Sequence, residues 1–399
     1  MSRELRRMPD SDVRALIAAL RAALDGSGPA VLPYDAASSR TVRGSHDGLP
    51  PLAHSAQQNG DRVPDDVALV IETSGSTGTP KRVGLSAAAL LASAAASAEA
   101  VGGSGQWLLC LPAHYVAGTN VLVRGIHAGT EPVVMAEGHF DAAGFVEAAS
   151  RLTAPGRYAS IVPVQLARLV DAAEDDDATL EALRRFDALL VGGQALRPEL
   201  RQRAEALGIR VVRTYGSSET SGGCVYDGVP IGTTRARLSP GGILELTGPT
   251  LAEGYLGDPG RTAAAFDVDA DGARWYRTGD LGEVAADGSV TVLGRADNVI
   301  ISGGEKVLLD AVERHVKSLP GLGDAVVVAA DDAQWGQVPV VITAREGAEL
   351  AGIRSSTSAA LGRAAAPARV IVVDAVPHLP SGKPDRVALA ALARARDGD

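Results

Sequence analysis

The sequence predicts an α/β fold: a large N-terminal domain of parallel sheets with covering helices, a β-rich subdomain, and a small α+β C-terminal lid domain. Three observations predict it. From residue 67 to about 216 short apolar runs alternate with helical stretches, after residue 230 the texture turns to strands and turns, and beyond Gly294–Asn298 a fresh α+β pattern begins.

In order, the apolar runs are Val67 to Ile71, Trp107 to Leu111, Pro132 to Met135, Ser160 to Val162, Ala188 to Val191 and Arg210 to Arg213. Strand-length runs separated by helices imply a parallel sheet, because a parallel pair needs a crossover long enough to hold a helix. Ala87 to Ala100 is nearly all alanine and serine, a close-packing helix with no chemistry of its own. Glu174-Asp-Asp-Asp177 reads as a solvated loop that lends capping charge to the next helix. Ile243 to Leu246 opens the β-rich region, and Gly282 to Ala285 and Ser289 to Leu293 flank Asp287-Gly288, a dipeptide suited to a tight hairpin turn. A helix at Leu308 to Lys317 and strands at Ala325 to Val328, Val338 to Thr343 and Arg369 to Val373 follow. The expected domains are therefore 1–293 and 299–399, with 294–298 as a hinge.

With 399 residues, 46% apolar and 22% charged, the composition is that of an ordinary globular protein with room for a large core. No stretch is long enough to span a bilayer, and Met1-Ser-Arg-Glu-Leu-Arg-Arg7 has no apolar segment behind it, so the expected compartment is the cytoplasm without membrane insertion. Cys110 and Cys224 lack metal-ligand spacing and read as small core residues. A net charge of −10 argues against nucleic acid as the main partner. Arginine is the default cation: of the 38 basic residues only Lys81, Lys306, Lys317 and Lys383 are lysines. A lysine kept against that bias suggests a site that wants a compact ammonium. Lys81 and Lys383 both sit in Gly-containing loops, whereas Lys317 falls on a helix surface where chance suffices.

Thr73-Ser-Gly-Ser-Thr-Gly-Thr-Pro-Lys81 is the most informative run. Gly75 and Gly78 let the backbone approach an anion, Ser74, Ser76 and Thr77 add hydroxyl donors, and Lys81 supplies a point charge. Together they form a polyphosphate grip. The Walker loop needs Gly, four residues, then Gly-Lys-Ser/Thr, and the spacing here excludes it.

This run, Tyr215-Gly-Ser-Ser-Glu-Thr220, Tyr276-Arg-Thr-Gly-Asp280, Gly294-Arg-Ala-Asp297, Ser302-Gly-Gly304 and Pro380-Ser-Gly-Lys383 resemble, in order and spacing, the adenylate-forming acyl-CoA synthetase superfamily over nearly the whole chain. The resemblance implies an enzyme that activates a carboxylic acid with ATP to an acyl-adenylate, releases pyrophosphate, and passes the acyl group to coenzyme A. The 73–81 loop would hold the β- and γ-phosphates, Glu219 would carry Mg²⁺, and Thr220 would bond the α-phosphate. Asp280 would accept from the ribose hydroxyls, Tyr215-Gly216 and Gly192-Gly193-Gln194 would face adenine, and Arg295 would contact the nucleotide. Lys383 would stabilise charge at the reacting α-phosphate. Asp297 matches the hinge aspartate about which the lid turns between half-reactions, and Gly303-Gly304 would lie beside the pantetheine tunnel.

Two places depart from the family pattern. Where the family has an aromatic-His pair, Leu111-Pro-Ala-His-Tyr-Val-Ala-Gly118 puts Tyr115 in the histidine column and His114 one earlier, so either fills that catalytic and acyl-binding role; after Gly304, Glu305-Lys306 replaces the commoner Glu-Asn. Leu111 to Gly118 and Ser160 to Leu169 resemble the o-succinylbenzoate–CoA ligases of menaquinone synthesis, with Ser160, Gln165, His114 and Arg124 as candidates for the acid pocket. Another acyl- or aryl-CoA ligase, a carrier-loading adenylation enzyme and an inactive nucleotide-binding relative are the rival readings. A homodimer stays open, since no residue pattern fixes oligomeric state.

Overall fold

The computed structural model describes residues 1–35, 61–73, 81–136, 138–378 and 383–395. The chain forms two compact units: Met1–Ala236, Glu245–Arg277 and Ala285–Val290 make the first, and Arg237–Leu244, Thr278–Val284 and Thr291–Asp399 the second.

The first unit begins with β1 (Ser2–Pro9), α1 (Val13–Leu24), β2 (Ala30–Tyr34), β3 (Arg62–Pro64), β4 (Val67–Thr73) and β5 (Lys81–Ser86). It continues through α2 (Ala87–Ala100), β6 (Gln106–Leu109), α3 (Val116–Ala128), β7 (Val133–Val134), α4 (Ala142–Ser150), β8 (Arg157–Ile161), α5 (Pro163–Asp175), α6 (Asp177–Arg184), β9 (Ala188–Val191), α7 (Pro198–Ala206) and β10 (Val211–Ser217). Then come β11 (Gly222–Tyr226), β12 (Val229–Pro230), β13 (Arg235–Leu238), β14 (Ile243–Thr247), β15 (Gly254–Tyr255), α8 (Pro259–Ala265), β16 (Phe266–Val268), β17 (Arg274–Val284) and β18 (Val290–Arg295), of which β13, β14, β17 and β18 have residues in both units. Helix α1 shows how local signals set an element. The Asp12 carboxylate accepts from Ala15 N–H at 3.1 Å as its N-cap, and Leu16, Leu20 and Ala23 form the buried stripe.

Five of the apolar runs build the expected parallel sheet, in the order β12-β11-β10-β9-β8-β6-β7, with β10 to β7 parallel and β11 and β12 an antiparallel edge. Val67 to Ile71 does not join it. That run is β4 of a second, mixed sheet, β15-β5-β4-β2-β1-β3, where it pairs antiparallel with β5 and parallel with β2. Residues 74–80 are fewer than a helical crossover requires, so the chain returns beside itself. A core of Val31, Leu69, Ile71, Leu90, Leu122 and Leu190 joins strands of both sheets to the helices covering them. On the parallel sheet, Phe145, Leu166, Leu169 and Phe186 form another core.

The second unit adds β19 (Val299–Ser302), β20 (Glu305–Leu308), α9 (Leu309–Ser318), β21 (Val326–Asp332), β22 (Gly336–Thr343), α10 (Leu350–Leu361), β23 (Arg369–Val372) and α11 (Arg386–Ala395). Its sheet runs β20-β19-β22-β21, with β23 parallel beside β22. Strand alternation divides two cores here: Val326, Val328, Val340 and Ile342 face one side with Leu389, and Val327 and Val341 the other with Val312 and Val316.

Loops after β6, β8, β9 and β10 share the carboxyl edge of the parallel sheet, the usual place for a ligand in such folds. Gly216 is one residue where that edge is tight. The β10–β11 register shifts between Tyr215 and Gly216, and a Cβ on Gly216 would be driven into the Gly222 backbone. Gly216→Ala is expected to cost about 2 kcal/mol, seen as a lowered melting temperature.

Candidate active site

Beyond β10 the chain makes one 3-10 turn over Ser218–Thr220, and this turn puts Glu219 into the interior at 2% exposure. Burial alone pushes its carboxyl up. The Lys81 ammonium, 2.6 Å from Oε1, together with the Tyr255 hydroxyl donating to the same oxygen at 2.8 Å, more than offsets that push and holds Glu219 below its ordinary value. Lys81 also lies 5.2 Å from the centre of the Tyr255 ring. Burial first, and then the Glu219 charge, raise the Tyr255 phenol, so it stays a protonated donor. Sequence reasoning singled out Lys81 for phosphate and Glu219 for Mg²⁺ without foreseeing that they pair, and missed Tyr255, which lies outside every motif and reaches the carboxylate by the pairing of β15 with β5.

The turn is heavily braced. Thr220 accepts from Ser217 N–H at 2.9 Å and donates to the Gly222 carbonyl at 2.7 Å. Ser221 takes the left-handed conformation at φ 51, which is costly for a non-glycine residue. Its hydroxyl donates to the Thr250 carbonyl at 2.8 Å, and its own carbonyl accepts from Ser93 at 3.0 Å and Asn120 at 2.8 Å.

Of the expected phosphate loop, Ser74, Gly75, Ser76, Thr77 and Gly78 lie outside the described residues. Thr73 ends β4 opposite Lys81, and its buried hydroxyl has no hydrogen bond. Gly192, Gly193 and Gln194 follow β9 at the carboxyl edge beside β10, which carries the half-buried Tyr215. Gly192 passes so near Thr214 that a Cβ would strike its hydroxyl, and Gly193 sits at φ 81. In the second unit Asp280 lies 3.3 Å from Arg295, which also pairs with Asp297 at 3.2 Å. Gly303 and Gly304 both have positive φ at the β19–β20 turn, and Lys383 is exposed just before α11.

On the acyl side, Arg124 of α3 is buried to 6% exposure. Its Nη1 donates to Ser160 Oγ and its Nη2 to the Tyr226 hydroxyl, each at 3.2 Å; the guanidinium lies 4.6 Å from the Trp107 ring centre, and Nε has no partner. Among the described residues no carboxylate pairs with it. His114 Nδ1 lies 2.6 Å from Asp10 Oδ2 and its ring packs 4.1 Å from that of Tyr115. Asp10 is another residue that sequence reasoning missed, since it stands 104 positions away in the turn that follows β1. Burial, with Asp35 and Asp10 nearby, raises the Tyr115 phenol. Gln165 spends both ends on backbone, accepting from Val162 N–H at 3.0 Å and donating to the Cys110 carbonyl at 3.1 Å. The structure thus brings Lys81 to Glu219 and Arg124 to Ser160.

Profiles of the AMP-binding enzyme family match residues 5–263, and those of its C-terminal domain residues 311–383. The chain belongs to the AMP-binding enzymes. It is 41% identical over 381 residues to a probable 2-succinylbenzoate–CoA ligase of Mycobacterium tuberculosis, covering 94% of each chain. A 2-succinylbenzoate–CoA ligase of Lactococcus lactis is 28% identical over 341 residues, covering 80% of this chain and 70% of that one. Among solved structures, o-succinylbenzoate CoA synthetase from Bacillus subtilis in complex with the acyl-adenylate intermediate OSB-AMP superposes with a TM-score of 0.72 at 23% identity, covering 94% of this chain and 80% of that one. That likeness establishes the fold of this AMP-binding enzyme: a large N-terminal α/β domain and a smaller C-terminal one.

Because the folded pKa of Glu219 is depressed, its contribution to stability is present above its ordinary value of 4.5 and is lost as pH falls through the folded value. Lys81→Met leaves burial as the dominant influence, raising the carboxyl instead. The wild-type urea midpoint is expected to fall on acidification below about pH 4.5, whereas that of Lys81→Met should rise as the pH is lowered from neutral towards 4.5.

Proposed function

We propose that this AMP-binding enzyme is an ATP-dependent acid–thiol ligase that joins o-succinylbenzoate to coenzyme A, releasing AMP and pyrophosphate. One observation carries the substrate: the buried Arg124, whose side-chain partners are the neutral Ser160 and Tyr226. A guanidinium placed so is a receptor for a carboxylate from outside the protein, and a dicarboxylic acid has one to spare while the other reacts. The 41% identity to a probable 2-succinylbenzoate–CoA ligase over nearly the full chain supports the same assignment.

Activation must bring a carboxylate to a triphosphate against charge repulsion. Thr73, with its unpartnered hydroxyl, and the 74–78 loop with Lys81 would bind the β- and γ-phosphates. Glu219 would hold Mg²⁺, and a single hard carboxylate suits a cation that keeps several of its own waters. Bound there, the metal supplies neutralisation of phosphate charge. Tyr215 and the 192–194 turn would receive adenine, Asp280 the ribose and Arg295 the nucleotide, while Thr220 and Lys383 would steady charge developing at the α-phosphate. His114, oriented by Asp10, and Tyr115 would border the acid. The second half-reaction would follow rotation about 294–298, with Asp297 as the hinge and Gly303-Gly304 beside the pantetheine arm that brings in the thiol.

The assay is acid-dependent exchange of labelled pyrophosphate into ATP, followed by thioester formation with CoA. Exchange is expected with o-succinylbenzoate and not with benzoate or fatty acids. Exchange with the simple acids alone would move the chain to another acyl- or aryl-CoA ligase, and nucleotide binding without exchange would mark an inactive relative. Arg124→Gln is expected to raise KM for o-succinylbenzoate about 10- to 100-fold while leaving KM for ATP within about twofold.

A further inference from the structure

Lys383 is as well placed as the backbone that carries it. Each of the three residues after it is fastened. Pro384 bridges to His378, Asp385 N–H donates to the Pro377 carbonyl at 2.9 Å, and the Asp385 carboxylate caps α11 by accepting from Ala388 N–H at 3.0 Å. Arg386 then crosses to α9 and β21, its Nη2 donating to Glu313 Oε2 at 2.8 Å and its Nη1 to the Val327 carbonyl at 3.0 Å.

Glu313 is itself pinned, accepting from Val327 N–H at 3.1 Å and from Lys317 at 2.7 Å. Burial pushes its carboxyl up, and Lys317 with Arg386 more than reverses this, so it stays ionised. Three residues earlier on the same helix, Asp310 holds the other end. It accepts from Arg295 N–H at 2.9 Å and from Asn298 Nδ2 at 3.0 Å, and lies 3.8 Å from Arg386. Gly294, at φ 155, runs so close to Asp310 that a Cβ would strike its side chain. Arg314 adds a bond to the Leu293 carbonyl at 2.6 Å.

We propose that Arg386 is a positioning residue for Lys383, and that α9, through Asp310 and Glu313, makes the 294–298 segment and the Lys383 segment one rigid piece. The inference rests on the ligase reading in taking Lys383 as the group that acts at the α-phosphate. Turning about 294–298 then carries the ammonium with it instead of leaving it on a free tether.

The two half-reactions test this separately. Arg386→Ala is expected to slow acid-dependent pyrophosphate exchange at least about tenfold while thioester formation from supplied acyl-adenylate stays within about twofold. Arg386→Lys keeps the charge without the two-pronged reach and should fall between, and millimolar guanidinium should restore part of the Arg386→Ala loss. Wild-type exchange in Arg386→Ala, or equal loss in both half-reactions, overturns the proposal. Should Arg386→Ala not fold, Asp310→Asn takes its place, with the same split expected and an equal loss overturning it. If the wild type exchanges no pyrophosphate with any acid, the ligase reading fails instead. Amide exchange then decides the mechanical claim alone: Arg386→Lys should lose protection at Asp385 and Leu389, and unchanged protection sinks it.

Discussion

Burying one carboxylate sets much of the first unit. Glu219 stands on the parallel sheet's edge, yet both groups that hold its charge, the Lys81 ammonium on β5 and the Tyr255 hydroxyl on β15, come from the other sheet. Removing one partner of such a pair typically costs about 3–5 kcal/mol, because the remaining charge is left desolvated. The two sheets therefore have one relative placement that satisfies Glu219. The 3-10 turn, the left-handed Ser221 and its bonds to Ser93, Asn120 and Thr250 serve the same end, fixing the carboxylate against two helices and a strand-end loop.

Arg124 is the opposite case. Its positive charge is equally deep but is met by two neutral oxygens and the face of Trp107, with Nε left over. Cation–π contact and hydroxyl acceptors offset part of the desolvation cost without cancelling the charge. A fold tolerates such a residue where something else benefits. An anion that completes the pair would gain the full strength of a charged hydrogen bond in a low-dielectric setting, and an acid lacking that second carboxylate would leave the guanidinium unsatisfied.

What the sequence made legible was local. The runs Ala188 to Val191 and Ala87 to Ala100 coincide with β9 and α2, and the Asp287-Gly288 turn separates β17 from β18, because apolar run length, alanine content and turn chemistry act within a few residues. Val67 to Ile71 was legible as a strand but not as a member of a particular sheet, since that depends on which edge it meets. The opening segment β1-α1-β2 carried no motif and was passed over, although it builds two of the six strands of the mixed sheet and brings Asp10 to His114. Tyr255 and Asp10 share one reason for escaping notice: each acts through a partner far along the chain, and no spacing rule links them.

The scarcity of lysine takes on a physical meaning once the pairs are seen. Lys317, which a helix-surface position seemed to explain, holds the buried Glu313, just as Lys81 holds Glu219. In both pairs the ammonium occupies one carboxylate oxygen, Oε1. A guanidinium fork tends to take both oxygens of a carboxylate at once. Using lysine leaves Oε2 of Glu313 to Val327 and Arg386, so a single glutamate can tie a helix, a strand and the segment after Lys383 together. At Glu219 the same choice lets the Tyr255 hydroxyl share Oε1 with Lys81. In a chain whose default cation is arginine, Lys81 and Lys317 each stand against a single oxygen of a buried carboxylate.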